Sequence, residues 1–230
     1  MSIKRVFILC VFSLFLISSL FAGSSLAGES IEYLEYSDEK VRLDIYDPPG
    51  SRKSPVVILI HGSAGIDGDR AVRYRGFARD LMNKGIIAVN VHYFESEREN
   101  WINTIIETIN YVKNICDADT QRIGIVGYSL GGLIGLSVAS YDERVKALAM
   151  NSGFLPTGFN KELASRLPRT LMISGSEDKA MQTLKQLKQW FEELDKPFEI
   201  KINEGYGHSS PMSVFRDNWQ TIVKFFCDYL

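Results

Sequence analysis

The sequence predicts an α/β fold with a mostly parallel central sheet and helices on both of its faces. Its 230 residues are 45% apolar and 23% charged, with a formal net charge of −2, which is the profile of one globular domain. Short, nearly continuous apolar runs recur along the chain, as in strands buried on both faces of a parallel sheet. Segments with helical amphipathic spacing separate these runs, and this alternation is typical of a sheet covered by helices.

The amino terminus carries the pattern of an export signal. Two basic residues precede an uncharged apolar run at 6–22, and small residues follow it. This order is typical of a secretory signal peptide, so we predict cleavage after Ala27, with Ala22 as the second candidate. The chain then divides into a signal peptide at 1–27 and one domain at 28–230, and the mature protein is periplasmic or extracellular. An uncleaved membrane anchor is the alternative, because the run is at the lower limit of a spanning length.

The strands and helices follow one another in a regular order. Apolar and polar residues alternate at 41–45, as in a half-buried strand, and 31–36 is a weaker strand that can pair with it as a hairpin. Amphipathic helices are predicted at 101–112 and 181–194, and a closing helix at 215–229. Strands buried on both faces are predicted at six apolar runs: 56–60, 86–91, 122–127, 145–150, 170–174 and 198–202.

The pattern Gly127-Tyr128-Ser129-Leu130-Gly131 lies where a predicted strand runs directly into a helix. This G-x-S-x-G turn is typical of a nucleophile elbow, in which a strained backbone holds the serine hydroxyl at the carboxyl edge of the sheet. We therefore predict that Ser129 is a nucleophile. The alternative is that the glycines only allow a helix to pack closely on the sheet.

A serine hydroxyl needs a base, and the chain offers three histidines. His208 lies in a glycine-rich stretch between the last predicted strand and the last predicted helix, where a loop can bring it over the sheet edge. We predict that His208 is the base. His61 begins a glycine-rich turn, and a role in that turn explains this histidine better than a role as the base. His92 ends another strand, and a structural imidazole is the better interpretation there.

The base in turn needs a group that orients it, usually a carboxylate. Asp178 follows the predicted strand at 170–174 and therefore lies at the same edge of the sheet. The order Ser129, Asp178, His208 along the chain is the order that an elbow of this kind requires. Glu177 is the alternative acid, and a solvated acidic turn is the alternative for both carboxylates.

Attack on a carbonyl leaves negative charge on its oxygen, and backbone N–H groups must stabilise that charge. We predict one donor at Leu130, which directly follows the nucleophile at a helix N-terminus. The second donor is predicted at Ser63, with Ala64 as the second choice, because glycines in the turn at 61–65 let the backbone curl toward the site. A plain glycine turn without this role is the alternative.

Four stretches of the sequence resemble the dienelactone hydrolase branch of the α/β-hydrolase superfamily, and the resemblance covers nearly all of the mature chain. They are VVILIHGSAGIDGDRAVRYRGFARDLMNKGIIAVNVHYF, GYSLGG, ISGSED and GYGH. The resemblance implies an α/β-hydrolase fold with Ser129 as nucleophile, Asp178 as acid and His208 as base. It also implies that Ser63 and Leu130 occupy the oxyanion-hole positions. Founding members of that branch have a cysteine nucleophile, and the serine in this chain favours a general carboxylesterase.

The segment between two predicted strands at 151–169 leaves room for little more than a short helix at 161–167. We therefore expect no large lid and an open site, which suits a small-molecule or polymer-borne ester substrate. Five residues on the loops at this edge are candidates for the wall of an acyl pocket, with ordinary surface positions as the alternative. They are Tyr93, Phe94, Phe154, Leu155 and Tyr206.

These features predict an exported enzyme that cleaves carboxylic esters through an acyl-enzyme. A peptidase or acyl-amidase, an acyltransferase and a hydrolase-fold binding protein without catalysis are the alternatives. No histidine pair or cysteine cluster has metal-ligand spacing, so we expect no metal or organic cofactor. The acidic balance gives no electrostatic footprint for nucleic acid, and we expect no stable membrane span after signal cleavage. The oligomeric state and any pairing of Cys116 with Cys227 stay open.

Overall fold

The computed structural model describes residues 28–36, 38–50, 53–63, 74–208 and 211–230. The predicted signal peptide at 1–27 and Ala64, the second choice for the oxyanion hole, lie outside the described residues. Among the helices of the described part of the chain, none has both the length and the apolar character needed to cross a membrane.

Eight strands of the described chain form one sheet in the order β1-β2-β4-β3-β5-β6-β7-β8. Their bounds are β1 (Glu29–Tyr36), β2 (Glu39–Tyr46), β3 (Ser54–Ile60), β4 (Ile87–Val91), β5 (Ala118–Tyr128), β6 (Val145–Asn151), β7 (Arg169–Glu177) and β8 (Phe198–Gly207). β1 and β2 form the predicted antiparallel hairpin, and β2 also pairs antiparallel with β4. All the other pairs are parallel, which confirms a mostly parallel sheet.

Helices connect the parallel strands and close the chain. They are α1 (Arg75–Met82), α2 (Trp101–Tyr111), α3 (Leu130–Tyr141), α4 (Lys161–Arg166), α5 (Met181–Glu193), α6 (Pro211–Asp217) and α7 (Trp219–Tyr229). The amphipathic patterns at 101–112 and 181–194 correspond to α2 and α5. Between β6 and β7 the chain forms the short helix α4 and no large lid, as the sequence predicts.

The residues of β3 alternate between two buried layers. Val56, Ile58 and Ile60 belong to a core that includes α2, α3 and α5, whereas Val57 and Leu59 belong to one that includes α1, α6 and α7. Because successive side chains of a strand point to opposite faces, the two layers lie on opposite sides of the sheet. Helices therefore cover both faces, as the nearly continuous apolar runs indicated.

The prediction that the run at 198–202 is buried on both faces is wrong. It forms the start of β8, which lies at the edge of the sheet beside β7, and Ile202 is 40% exposed. Phe198 and Ile200 are only partly buried. An apolar run indicates that a strand exists, but the position of the strand in the sheet depends on the pairing of distant segments.

The predicted closing helix at 215–229 is two helices, α6 and α7, which are separated by Asn218. The Asn218 side chain donates to Val214 O at 2.7 Å and to Asn203 Oδ1 at 3.0 Å. An asparagine side chain that bonds nearby backbone competes with helix continuation. Amphipathic spacing continues across this break, so the pattern alone does not reveal it.

Candidate active site

The three predicted triad residues each come directly after a strand of the sheet. Ser129 follows β5, Asp178 follows β7 and His208 follows β8. These strands are parallel, so their carboxyl ends meet at one edge of the sheet, where open α/β folds bind their ligands. The glycine-rich stretch that was predicted to form a loop before His208 belongs mostly to β8, which extends to Gly207.

Ser129 has a strained backbone at the turn from β5 into α3. Its φ is 51° and its ψ is −112°, a conformation that residues with a side chain rarely adopt. Its N–H donates to Asn151 O at 2.9 Å. A Cβ at Gly127 would collide with Gly131 O, and a Cβ at Gly131 would collide with Ile60 O. The glycines therefore pack the helix on the sheet and also permit the strained turn that presents the serine.

Two hydrogen bonds join the three side chains in a row. Ser129 Oγ lies 3.1 Å from His208 Nε2, and His208 Nδ1 lies 2.8 Å from Asp178 Oδ1. An ionised carboxylate only accepts hydrogen bonds, so Nδ1 carries a hydrogen and Nε2 is left to accept the serine hydroxyl. The Asp178 side chain is almost fully buried, whereas the His208 side chain is 31% exposed. The structure thus brings all three predicted residues into contact.

Backbone contacts hold Asp178 in this position. Its Oδ1 also accepts the N–H of Ala180 at 2.8 Å, just before α5 begins. A Cβ at Gly175 would collide with Tyr206 O, so the glycine lets β8 approach β7 closely. Glu177, the alternative acid, is exposed at the end of β7. The carboxylate that bonds the His208 ring is therefore that of Asp178.

The two turns that carry the predicted oxyanion-hole donors lie against each other. A Cβ at Gly62 would lie 2.8 Å from the ring of Tyr128, so the turn that leads into Ser63 touches the elbow. Ser63 itself is exposed. Leu130 is the first residue of α3, where an N–H has no carbonyl partner within the helix. Both donors therefore belong to backbone segments that adjoin Ser129 at the sheet edge.

The model of the dienelactone hydrolase family matches residues 42–226 of this chain. The chain belongs to the dienelactone hydrolase family. The match extends from β2 to α7 and includes Ser129, Asp178 and His208. The α/β-hydrolase fold that the sequence resemblance implied is confirmed for this family member by its sheet order and by its helices on both faces.

This family member is also similar to individual proteins and structures. A protein of Escherichia coli named "Uncharacterized 31.7 kDa protein in traX-finO intergenic region" is 32% identical over 126 residues, which are 50% of this chain and 43% of that protein. The chain spans about half the length of the curated relatives that it matches.

Solved structures of similar fold include esterases, dienelactone hydrolases and peptidases. A structure of fungal esterases from Rhizomucor miehei matches with a TM-score of 0.73 at 18% identity, over 87% of this chain and 83% of that chain. A dienelactone hydrolase from Anabaena variabilis ATCC 29413 matches with a TM-score of 0.65 at 19% identity, over 88% of this chain and 98% of that chain. At these identities the similarity is one of fold.

His61 of this family member lies in the turn after β3 and packs nearly parallel to two aromatic rings. Its ring centroid is 4.4 Å from that of Tyr93 and 5.3 Å from that of Phe94, with interplanar angles of 23° and 13°. Its Nδ1 lies 3.0 Å from Gly62 O. These contacts connect the histidine to its own turn rather than to Ser129, as the sequence interpretation proposed.

His92, directly after β4, forms a buried pair with Asp44 of β2. Its Nε2 lies 3.1 Å from Asp44 Oδ2, and Arg42 Nε donates to Asp44 Oδ1 at 2.7 Å. Burial raises the pKa of Asp44, but the hydrogen bonds and charges of His92 and Arg42 outweigh it, so the pKa is held below its ordinary value. The structural imidazole predicted at His92 is confirmed by this pair.

Of the candidates for the acyl pocket wall, Phe154 contacts the row of hydrogen bonds. Its ring centroid lies 5.1 Å from that of His208. Tyr93 is fully buried and its hydroxyl donates to His61 O at 2.7 Å, so the prediction that it walls an open pocket is wrong. The other candidates are half-buried: Phe94, Leu155 and Tyr206.

The structure adds two residues at the sheet edge that the sequence did not single out. Asn151 ends β6 beside the elbow, and its Oδ1 accepts the Ser152 hydroxyl at 3.1 Å, in addition to the bond that its backbone makes to Ser129. Ser152 has a φ of 52°, and its N–H donates to Ile173 O at 2.8 Å. Both residues lie at the carboxyl end of β6, the strand next to β5. This position is the feature of the sequence from which they could have been predicted.

The sequence leads us to expect no metal and leaves the pairing of Cys116 with Cys227 open. Over the part of the chain that the structure describes, no three or more His, Cys, Asp or Glu side chains are grouped to hold a metal ion. The expectation of an enzyme without metal or organic cofactor stays a prediction. Cys116 and Cys227 are exposed free thiols.

Proposed function

We propose that this protein is an exported serine hydrolase that cleaves carboxylic esters through an acyl-enzyme. The observation that carries the proposal is the row of hydrogen bonds Ser129–His208–Asp178, with distances of 3.1 Å and 2.8 Å, beside a strained elbow. Packing of a hydrophobic core does not require three polar side chains from three strands to converge in this way. In the proposal Ser129 is the nucleophile, His208 the base and Asp178 the group that orients the base.

Acylation begins when Ser129 Oγ attacks the ester carbonyl carbon while His208 Nε2 takes the hydroxyl proton. A bond forms between Oγ and carbon, and the carbonyl π electrons move onto the oxygen. Asp178 stays ionised and stabilises the imidazolium through Nδ1. When the tetrahedral intermediate collapses, the bond to the alcohol oxygen breaks, the alcohol leaves with the proton from His208, and the acyl group stays on Ser129.

Deacylation repeats these steps with water in place of the serine hydroxyl. His208 takes a proton from water, whose oxygen adds to the acyl carbon, and the acid leaves as Ser129 regains its proton. The N–H groups of Ser63 and Leu130 donate to the oxyanion in both halves of the reaction. The N-terminal end of the α3 dipole adds favourable potential at Leu130.

The proposed substrate is a small-molecule or polymer-borne ester. The short connection between β6 and β7, which contains only α4 as a helix, supports a site that is open to solvent at the sheet edge. The proposal that the protein is exported is based on the composition of residues 1–27. Amino-terminal sequencing of the protein recovered outside the cytoplasm tests whether cleavage occurs after Ala27.

A fluorophosphonate probe tests the nucleophile, because it forms a covalent bond only with an activated serine. We expect one label per chain, on Ser129, and complete loss of labelling in Ser129→Ala. Ser137→Ala is the matched control, since Ser137 is a buried serine of α3 that donates to Leu133 O. Labelling that persists in Ser129→Ala would contradict the assignment.

A substrate panel tests the reaction class. We expect turnover of p-nitrophenyl esters and of a lactone, with hydrolysis of the matching anilide at least about a hundredfold slower because an amine is the poorer leaving group. Faster hydrolysis of the anilide would indicate an acyl-amidase or peptidase. Formation of a new ester with an added alcohol in preference to hydrolysis would indicate an acyltransferase. Absence of both labelling and turnover would indicate a binding protein.

A further inference from the structure

Two hydrogen bonds hold successive carbonyl groups of the turn that leads into Ser63. The Tyr93 hydroxyl donates to His61 O at 2.7 Å, and His61 Nδ1 lies 3.0 Å from Gly62 O. A carbonyl oxygen only accepts hydrogen bonds, so the Nδ1 of His61 carries the hydrogen of this second bond. The carbonyls of His61 and Gly62 thus each have an identified side-chain donor.

These bonds also set the direction of the N–H groups that follow. A trans peptide is planar, and its carbonyl and N–H point in opposite directions. The bond from Tyr93 to His61 O therefore sets the direction of the Gly62 N–H. The bond from His61 to Gly62 O sets the direction of the Ser63 N–H, which is the proposed oxyanion donor. Without such bonds, a glycine in this turn leaves its peptides free to rotate.

Both donor side chains are packed in the protein interior. Tyr93 is fully buried and His61 almost so, and their rings stack with centroids 4.4 Å apart. Phe94 packs on the same histidine ring. On the other side of the turn, Gly62 packs so closely on the Tyr128 ring that a Cβ would lie 2.8 Å from it. The turn is therefore held by hydrogen bonds and by close packing.

We propose that Tyr93 and His61 are positioning residues of this turn: the bond from His61 holds the Ser63 N–H in the direction needed to stabilise the oxyanion, and the bond from Tyr93 holds the peptide that precedes it. This inference rests on the proposed function, because it assigns a role within the same site. Neither side chain touches the reacting atoms. Their contribution is expressed in the transition state, when charge develops on the carbonyl oxygen, and not in the binding of the neutral ester.

The first test is Tyr93→Phe, which removes the hydroxyl and keeps the stacked ring. We expect kcat for a p-nitrophenyl ester to fall about tenfold or more while KM stays within about twofold. Rotation of the freed His61–Gly62 peptide displaces the Ser63 N–H that follows it, and a weakened oxyanion donor acts on the transition state. Tyr46→Phe is the control, because Tyr46 is a buried tyrosine of β2 whose partner residue, Ala88, lies at the opposite end of β4 from the site. Its kcat should stay within about twofold of the wild type.

A trifluoromethyl ketone provides a readout that a merely structural role would not change. Ser129 Oγ adds to its carbonyl, and the product carries an oxyanion that the N–H groups must bind. The inhibition constant should rise in Tyr93→Phe by the same factor by which kcat/KM falls. Activities and inhibition constants are corrected for the folded fraction of each variant. Partial unfolding therefore cannot be mistaken for weaker stabilisation of the oxyanion.

Two variants of His61 separate its donor from its ring. His61→Asn retains an N–H near the position of Nδ1 and loses the ring, whereas His61→Phe retains the ring and loses the donor. We expect the folded Asn variant to have a kcat about tenfold higher than that of the folded Phe variant. A kcat in the Phe variant equal to or above that of the Asn variant would overturn the role of His61.

The outcomes distinguish this inference from the proposed function. Stoichiometric fluorophosphonate labelling of Ser129 in Tyr93→Phe, together with the fall in kcat and the weaker ketone binding, supports the inference. Wild-type kcat in Tyr93→Phe, or a lower kcat with unchanged ketone binding, overturns it while the serine hydrolase assignment stands. Ester hydrolysis that survives Ser129→Ala overturns the proposed function itself.

Discussion

The ring of Phe154 packs against the imidazole of His208, with the ring centroids 5.1 Å apart and the planes inclined by 53°. The segment that carries Phe154 follows β6 and is tied to α5, because the Leu155 N–H donates to Thr183 Oγ1 at 3.1 Å. The 31% exposed side chain of His208 is thus packed against Phe154 and hydrogen-bonded to Asp178. This contact limits the orientations that the imidazole can adopt.

We predict that Phe154→Ala lowers kcat about threefold to tenfold, because the imidazole gains freedom and spends less time in hydrogen-bonding geometry with Ser129. Phe154→Leu, which keeps apolar contact with the ring, should retain most of the activity. Steady-state kinetics with a short-chain p-nitrophenyl ester measure the effect. An Ala variant as active as the Leu variant would show that Phe154 only borders the substrate.

Asp178→Asn should lower kcat by about 10⁴, because an asparagine favours the wrong histidine tautomer and cannot stabilise the imidazolium. Glu177→Gln is the matched control, since Glu177 is the adjacent carboxylate and is exposed. Its kcat should stay within about twofold of the wild type. Steady-state kinetics with a p-nitrophenyl ester measure kcat for both variants. A larger fall in kcat in Glu177→Gln than in Asp178→Asn would show that Glu177 is the carboxylate that orients the histidine.

The row Ser129, Asp178, His208 was predictable from sequence because each residue directly follows a strand of one parallel sheet. The apolar runs locate the strands, although β7 and β8 extend beyond their runs to Glu177 and Gly207, and parallel strands bring their carboxyl ends to one edge. The elbow adds a local constraint, since its glycines lie within two residues of Ser129. Local patterns and a simple topology were therefore sufficient for the placement of these residues.

The contacts of Phe154 and Tyr93 were not predictable in the same way. Phe154 meets a histidine that follows a different strand, and the Tyr93 hydroxyl meets a backbone oxygen of a residue 32 positions earlier in the chain. Such contacts depend on side-chain orientation after packing, which periodicity does not encode. The edge position of β8 was missed for a related reason, because an apolar run carries no information about its neighbours in the sheet.

The buried pair of Asp44 and His92 predicts a pH dependence of stability. The pKa of Asp44 is held below its ordinary value, so folding favours the ionised carboxylate. This contribution is fully present above the pKa of the unfolded state, near pH 4, and is lost as the pH falls through the lower pKa of the folded state. Stability should therefore decrease as the solution is made more acidic below about pH 4.

Asp44→Asn should destabilise the protein at pH 7 by about 3 kcal/mol, because it removes one partner of a buried pair. The difference from the wild type should narrow as the pH falls below about 4, since Asp44 is then protonated in the unfolded chain and the ionised carboxylate no longer favours folding as strongly. Urea unfolding at pH 7 and at pH 3 measures it. Asp38→Asn, which changes an exposed aspartate, is the control. An equal difference at both pH values would contradict the role of ionisation.

The Tyr128 hydroxyl is buried, and it has no hydrogen-bond partner among the described residues. Burial and, secondarily, the negative charge of Asp178 raise the pKa of Tyr128 well above its ordinary value, so the phenol stays protonated. A buried hydroxyl without a partner loses its bonds to water on folding and gains nothing in return. Tyr128→Phe should therefore raise the free energy of unfolding by up to about 1 kcal/mol.

Tyr93→Phe provides the opposite case in the same protein, because the Tyr93 hydroxyl is equally buried but donates to His61 O. This variant removes the hydrogen bond that the Tyr93 hydroxyl donates to His61 O and should lower the free energy of unfolding by about 1 kcal/mol. Urea unfolding at pH 7 measures both variants under one set of conditions. Both changes remove one hydroxyl from a buried tyrosine, so opposite signs are the result expected from the difference in hydrogen bonding. An equal decrease in the free energy of unfolding of the two variants would show that a buried water or another group forms a hydrogen bond with the Tyr128 hydroxyl.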